Sequence, residues 1–139
     1  MKTTGEILIA DRNPHIREYL RRELAAFGYR VRLVENGQTL LKLFNSPIHI
    51  DLLVLDPDVP GVDPMDVLQH TANRFPRLPV VLHGIHGSDR ISGIKPGTVF
   101  YVEKNGHSVE ILKAVIKKLL RGREIHLATV KEHKLEPSN

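Results

Sequence analysis

Short apolar runs separated by amphipathic stretches set the rhythm of this chain. Glu6 to Ala10 (EILIA) and Leu52 to Leu55 (LLVL) are too short for helices and end in turn residues, which is how strands buried on both faces read. Val80 to Leu82 and Val99 to Val102 add two further apolar runs. Tyr29 to Val34 differs, because it alternates apolar residues with Arg30 and Arg32, as a strand nearer a sheet edge does. Between these strands the apolar spacing turns helical. Asn13-Pro14 predicts a capped helix start; Ile16, Tyr19, Leu20, Leu24 and Phe27 form its apolar stripe, Arg17, Arg21, Arg22 and Glu23 its solvated face, and Gly28 its stop. Asn36-Gly37 turns the chain into a short helix carrying Leu40, Leu41, Leu43 and Phe44, ended by Ser46-Pro47. A third helix spans Pro64 to Phe75, with Pro76 and Pro79 bracketing the loop that follows it. Ser108 is expected to cap a last helix with Val109, Leu112, Val115, Ile116, Leu119 and Leu120 as its stripe, and Gly122 to close it.

The fourth crossover breaks this regularity. Between Leu82 and Val99 the chain reads HGIHGSDRISGIKPGT, which leaves room only for a short helix near Ser88 to Ile94. The stretch from Arg123 to Asn139 is polar, with a weak apolar pattern at Ile125, Leu127 and Val130, and reads as a helical extension or a frayed end.

Strands alternating with helices predict an α/β sandwich with a parallel sheet and right-handed crossovers. In such a sheet functional groups collect in the crevice at the carboxyl edge of the strands. Three strands deliver charge there: the first ends in Asp11-Arg12, the third in Asp56-Pro57-Asp58 before the Pro60-Gly61 turn, and the fifth in Glu103-Lys104. An aspartate after one strand can simply end it. Charged ends on three strands, nearly a hundred positions apart, converge on one crevice, and that convergence points to function.

Composition narrows the classes. With 139 residues and 41% hydrophobic content the chain makes one domain with one core. The formal charge of +4 would suit an acidic partner, but the basic residues are spread along helices and aromatics are only 5%, which speaks against a nucleic-acid interface. Absence of cysteine removes disulfides, thiol nucleophiles and Cys-ligated zinc. No stretch is long enough to span a membrane and Ile7 to Ala10 is too short for a signal peptide, so the chain reads as soluble and cytoplasmic. His83, His86 and Asp89 place three potential metal ligands in one loop, but their spacing matches no established zinc pattern.

Taken in order, ILIADRNPHIR, ENGQTLLKLF, DLLVLDPDVPGVD and FYVEKNG resemble a two-component response-regulator receiver domain of the chemotaxis-receiver type, over about residues 5 to 121. The resemblance implies a flavodoxin-like doubly wound (βα)5 sandwich, its five-stranded parallel sheet in the order 2-1-3-4-5, with a short or irregular fourth helix. Residues 1–122 would be the receiver and 123–139 a polar tail or helical extension. It also implies roles. Asp56 maps onto the phosphoacceptor and Lys104 onto the lysine that contacts the phosphoryl group. A carboxylate can attack a phosphoryl donor if cations offset the charge of the phosphoryl oxygens. Magnesium is the family's other cation, and its ligands would be Asp11, Asp56 and Asp58, the last through its backbone carbonyl or its carboxylate. A histidine kinase or phosphotransfer protein would supply the phosphoryl group and a downstream protein would read it; the domain would be a switch rather than an enzyme.

Two departures from the family pattern bear on that reading. Arg12 stands where the family has a second acid. At roughly 6 Å and an effective dielectric of about 20, an inward arginine would repel a dication by about 5 kcal/mol. Arg12 could alternatively point to solvent while Asp58 supplies the missing carboxylate, or pair with Asp56 and stand in for the metal. On the fourth strand Gly84 occupies the usual Thr or Ser position, with Ile85 where a small residue is expected, and a one-residue slip would bring His83 there instead. Tyr101 matches the aromatic switch position and Asn105 replaces the usual proline after Lys104. These departures support an alternative, a phosphorylation-independent pseudo-receiver acting as a protein-interaction module. A third class, the DxD phosphatases, is disfavoured: their motif carries Thr or Val where Pro60 stands here. The oligomeric state stays open, since receivers commonly pair through the fourth helix, fifth strand and fifth helix, and a shortened fourth helix disfavours that dimer.

Overall fold

The computed structural model of the chain describes residues 5–74, 77–85 and 99–135, with side chains as far as Arg121. The elements run β1 (Glu6–Ala10), α1 (Pro14–Ala26), β2 (Arg30–Val34), α2 (Gly37–Phe44), β3 (Leu52–Leu55), α3 (Pro64–Ala72), β4 (Val80–Gly84), β5 (Phe100–Glu103) and α4 (Ser108–Leu135). The five strands form one sheet in the order β2-β1-β3-β4-β5, parallel at every pairing. The doubly wound order that the resemblance implies is therefore present. The expected short helix near Ser88 to Ile94, with His86 and Asp89, lies outside the described residues.

Strand burial follows position in the sheet. β1, β3 and β4 are buried almost throughout, whereas β2 alternates exposed and covered residues and β5 is largely uncovered. Side-chain alternation sends successive residues to opposite faces. Leu8, Ala10, Leu53, Leu55, Val80 and Leu82 pack with α2 and α3 residues such as Leu40, Phe44, Val67 and Leu68. Ile7, Ile9, Leu52, Val54, Val81 and Val102 pack on the other face, with Leu20 and Leu24 of α1 and Leu112 and Ile116 of α4.

The caps explain where the helices begin and end. The Asn13 side chain accepts from the amides of His15 and Ile16, as its position before Pro14 predicts. At the other end, Gly28 takes a φ of 110°; its amide reaches Ala25 O at 3.0 Å and that of Tyr29 reaches Leu24 O at 3.2 Å, the left-handed stop that favours glycine. Asn36-Gly37 is a helix start rather than a free turn: Asn36 accepts from Thr39 N and Gly37 is the first residue of α2. Glycine is required there, because a β-carbon would lie 2.2 Å from Val62 Cβ.

Two expectations about the last helix need correction. Ser108 is its first residue and not a free cap; its hydroxyl meets His83 Nε2 at 3.1 Å, while Asn105 Oδ1 accepts from His107 N. Nor does Gly122 close it, since α4 continues to Leu135. One glycine inside a helix costs only about 1 kcal/mol relative to alanine, which the flanking helix formers offset.

Candidate functional site

Alternation along the strands positions the site. Ile9, Val54, Val81 and Val102 face α1 and α4, so the residues two positions on, Asp11, Asp56, His83 and Lys104, continue that face to the carboxyl edge. Backbone hydrogen bonds extend the sheet by one rung to hold three of them. Asp11 N donates to Val34 O at 3.2 Å, Asp56 N to Ala10 O at 2.8 Å and Lys104 N to Gly84 O at 2.7 Å.

The carboxylates and cations meet there. Lys104 Nζ lies 3.0 Å from Asp11 Oδ2 and 3.5 Å from Asp56 Oδ2. Both aspartates are about 1% exposed, an arrangement sustained only where each charge is paired. Asp56 Oδ1 accepts from Asp58 N at 2.9 Å, and Asp11 Oδ1 from Asn13 N at 2.8 Å. Burial pushes the Asp11 carboxyl above the usual aspartate range; the Asn13 amide and Lys104 pull it down, and the Asp56 charge pushes it up. Asp11, Asp56, Asp58 and Lys104, predicted to converge, do converge.

Of the placements its sequence allowed, Arg12 takes the one that pairs it with Asp56. Its amide donates to Asp56 Oδ2 at 3.3 Å, and its guanidinium spans two carboxylates, Nε 3.7 Å from Asp56 Oδ2 and a terminal nitrogen 3.8 Å from Asp58 Oδ2. The side chain remains 48% exposed, so it covers the mouth of the crevice while Lys104 lies beneath. This bears on magnesium. The three residues expected to ligate it are present, but Lys104 holds Asp11, both cations hold Asp56, and Arg12 holds Asp58. Among the described residues no cluster of three or more acidic, His or Cys side chains is arranged to hold a metal. As arranged, the residues do not fit a divalent ion.

The β4 corner resolves the question of the slip. Gly84 is the last residue of β4, and His83 turns inward, 2% exposed, against Ser108. His83 is therefore turned toward Ser108 on the face shared with Asp56 and Lys104, and Gly84 holds the corner beside Pro57 and Tyr101. Burial and the Lys104 charge lower the His83 pKa to about 4, against the opposing pull of Asp56, which leaves a neutral imidazole whose buried Nδ1 has no hydrogen-bond partner among the described residues. A β-carbon at Gly84 would lie 2.9 Å from Pro57 Cγ, 3.0 Å from Pro57 Cδ and 3.4 Å from the Tyr101 hydroxyl. The proline ring and the tyrosine fill the space a switch hydroxyl would use. Burial raises the Tyr101 pKa, and the nearby Glu103 and Asp58 charges raise it further.

Arg17 was missed. Its helical position reads as part of a solvated face, yet it is largely buried, donates to Asp11 O at 2.7 Å and lies 3.7 Å from Glu35. It ties the loop carrying Asp11 and Arg12 to α1. The available signal was its spacing of four from the Asn13 cap, which aims it back at the strand end.

A family model for the response regulator receiver domain matches residues 7–116. Response regulator MprA of Mycolicibacterium vanbaalenii is 32% identical over 117 residues, covering 83% of this chain and 50% of that protein. The chain thus spans about half the length of the curated relatives it matches. Among solved structures, response regulator TrrA of Thermotoga maritima in complex with Mg(2+)-BeF is 31% identical with a TM-score of 0.70, covering 86% of this chain and 99% of that one. A structure of histidine kinase ThkA in complex with TrrA gives 32% identity, a TM-score of 0.70 and the same coverage.

Proposed function

Since the chain belongs to the response regulator receiver family, we propose that it accepts a phosphoryl group on Asp56 from a histidine kinase or phosphotransfer protein and signals through contact with a downstream protein. Receivers of this family act in two-component signalling and generally bind magnesium at the phosphorylation site. One observation carries the reading for this chain: a buried acceptor carboxylate with the Lys104 ammonium 3.5 Å from it, itself anchored by Asp11 at 3.0 Å. A carboxylate so placed can attack phosphorus while a fixed cation meets the charge on the phosphoryl oxygens. ThkA with TrrA is an example of a regulator engaged by a kinase and supports a partner of that class here. On this reading the domain is a switch, not an enzyme, and it works in the cytoplasm. Among the described residues no helix is long and apolar enough to cross a membrane.

Intact mass after incubation with a small phosphodonor, beside an Asp56→Asn control, tests the reading. A gain of one phosphoryl group that the control lacks is the expected result. A second reading, an interaction module independent of phosphorylation, is favoured by the β4 corner, where Gly84 offers no hydroxyl and Pro57 closes on it. Equal binding of a captured partner by wild type and Asp56→Asn would favour that module.

A further inference from the structure

We propose that the Arg12 guanidinium is the second cation of the phosphoryl site, so that Asp56 takes and holds its phosphoryl group between Arg12 and Lys104 without a divalent metal ion. This rests on Asp56 as the acceptor and adds how the charge is met.

Three observations converge on Arg12. Its guanidinium lies 3.7 Å from Asp56 and 3.8 Å from Asp58, the first and third residues of the β3–α3 loop. The backbone around it is fixed on both sides: Asp11 N is tied to Val34 O, Arg17 grips Asp11 O at 2.7 Å, and Asn13 N bonds Asp11 Oδ1 while its side chain caps α1. Lys104 reaches the same Asp56 oxygen from the buried side and is only 9% exposed, against 48% for Arg12. The acceptor thus has one cation below it and one at the mouth, where an incoming phosphoryl group must pass.

The chemistry suits a guanidinium. Its planar array of donors matches the oxygens of a phosphoryl group, and it stays charged throughout the working pH range. In the transfer, an Asp56 oxygen forms the new O–P bond as the donor's P–N bond breaks. The departing nitrogen keeps the bonding pair, is protonated from water, and leaves as imidazole or, from phosphoramidate, as ammonia. The added charge then falls between Arg12 and Lys104. A divalent ion would have to enter among the same carboxylates against the guanidinium, and among the described residues no three acidic, His or Cys side chains are grouped to receive it.

Wild type, Arg12→Ala and Arg12→Asp, each checked for folding by circular dichroism, would be incubated with phosphoramidate in EDTA or in magnesium chloride and weighed intact. Binding of beryllofluoride, followed by fluorine NMR in the same two buffers, gives a readout independent of turnover. The expected result is that wild type is phosphorylated and binds beryllofluoride in EDTA within about threefold of its behaviour in magnesium. Arg12→Ala should lose about tenfold or more in EDTA, as the loss of a charge-assisted contact predicts. Arg12→Asp should work only with magnesium. Strict magnesium dependence of wild type would overturn the inference and leave Asp56 as the acceptor. Silence of wild type in both buffers would overturn both, and magnesium-dependent labelling of Arg12→Asp in that case would show that arginine is what disabled an otherwise competent site.

Discussion

At the ends of β1, β3 and β5 the crevice is a set of opposite charges holding one another, whereas at the end of β4 it is a steric fit between a glycine and a proline ring. In the first region Asp11, Asp56, Asp58, Arg12 and Lys104 are linked by ion pairs of 3.0 to 3.8 Å. In the second, Gly84 faces Pro57 and the Tyr101 hydroxyl with no room for a β-carbon. The two regions respond differently to change. A charge cluster is damaged by removing any member, because a buried partner is left uncompensated. A steric fit is damaged by adding volume and repaired by removing it from the other side. On the proposed function, the parts that would accept a phosphoryl group are therefore separable from those that would read it: the first keeps Asp11, Asp56 and Lys104 but carries Arg12 in place of an acid, and the second keeps Tyr101 but carries Gly84 in place of a hydroxyl residue.

The sharpest break is Asp56→Asn, which should abolish phosphoryl incorporation in an intact-mass assay; persistent labelling would move the acceptor elsewhere. Lys104→Ala follows. It strands the buried Asp11 and Asp56 carboxylates and should lower stability by about 3 kcal/mol in urea unfolding, with incorporation falling alongside. A loss below about 1 kcal/mol would mean that water or Arg12 already serves those carboxylates.

In the other region, Gly84→Thr should cost about 1 to 3 kcal/mol by overpacking against Pro57. The double variant Pro57→Ala/Gly84→Thr should recover much of that, a non-additivity that a double-mutant cycle measures; strict additivity would show that the two residues are not coupled. The smallest effect concerns His83, which lies behind both regions. Its folded pKa of about 4 is below the unfolded value of 6.5, so the neutral imidazole contributes stability that is fully present above pH 6.5 and is lost as pH falls toward 4. The loss attributable to this residue at pH 5.5 is on the order of 1 kcal/mol. Comparing urea midpoints at pH 7.5 and 5.5 for wild type and His83→Val checks it, and equal pH slopes in the two proteins would refute it.

The charged region was legible in the sequence because it needs only two rules: short apolar runs are central strands, and parallel strands end at one edge. Asp11, Asp56 and Lys104 could be grouped from spacing alone. The direction of Arg12 was not legible. Whether a guanidinium turns inward depends on Asp56 and Asp58 being at hand, a contact across forty-four positions. Arg17 was misassigned for the related reason that helical periodicity does not show which polar residue lies under a neighbouring loop. The β4 corner was ambiguous between His83 and Gly84 until the pairing of His83 with Val102 set the register. Gly122 misled because a glycine marks a helix end only where the chain leaves the helix.

The rung of backbone hydrogen bonds at Asp11, Asp56 and Lys104 has a kinetic consequence. An amide inside a sheet ladder meets deuterium only when the ladder opens, and for central strands that opening approaches global unfolding. The amides of Asp11 and Asp56 extend β1 and β3, two of the three inner strands, one step past the last paired residues, so they should be among the slowest to exchange. If Asp56 takes a phosphoryl group as proposed, the atoms that bear the incoming charge belong to one of the most persistent units among the described residues, and the movement that transmits a signal would come from the segments around them.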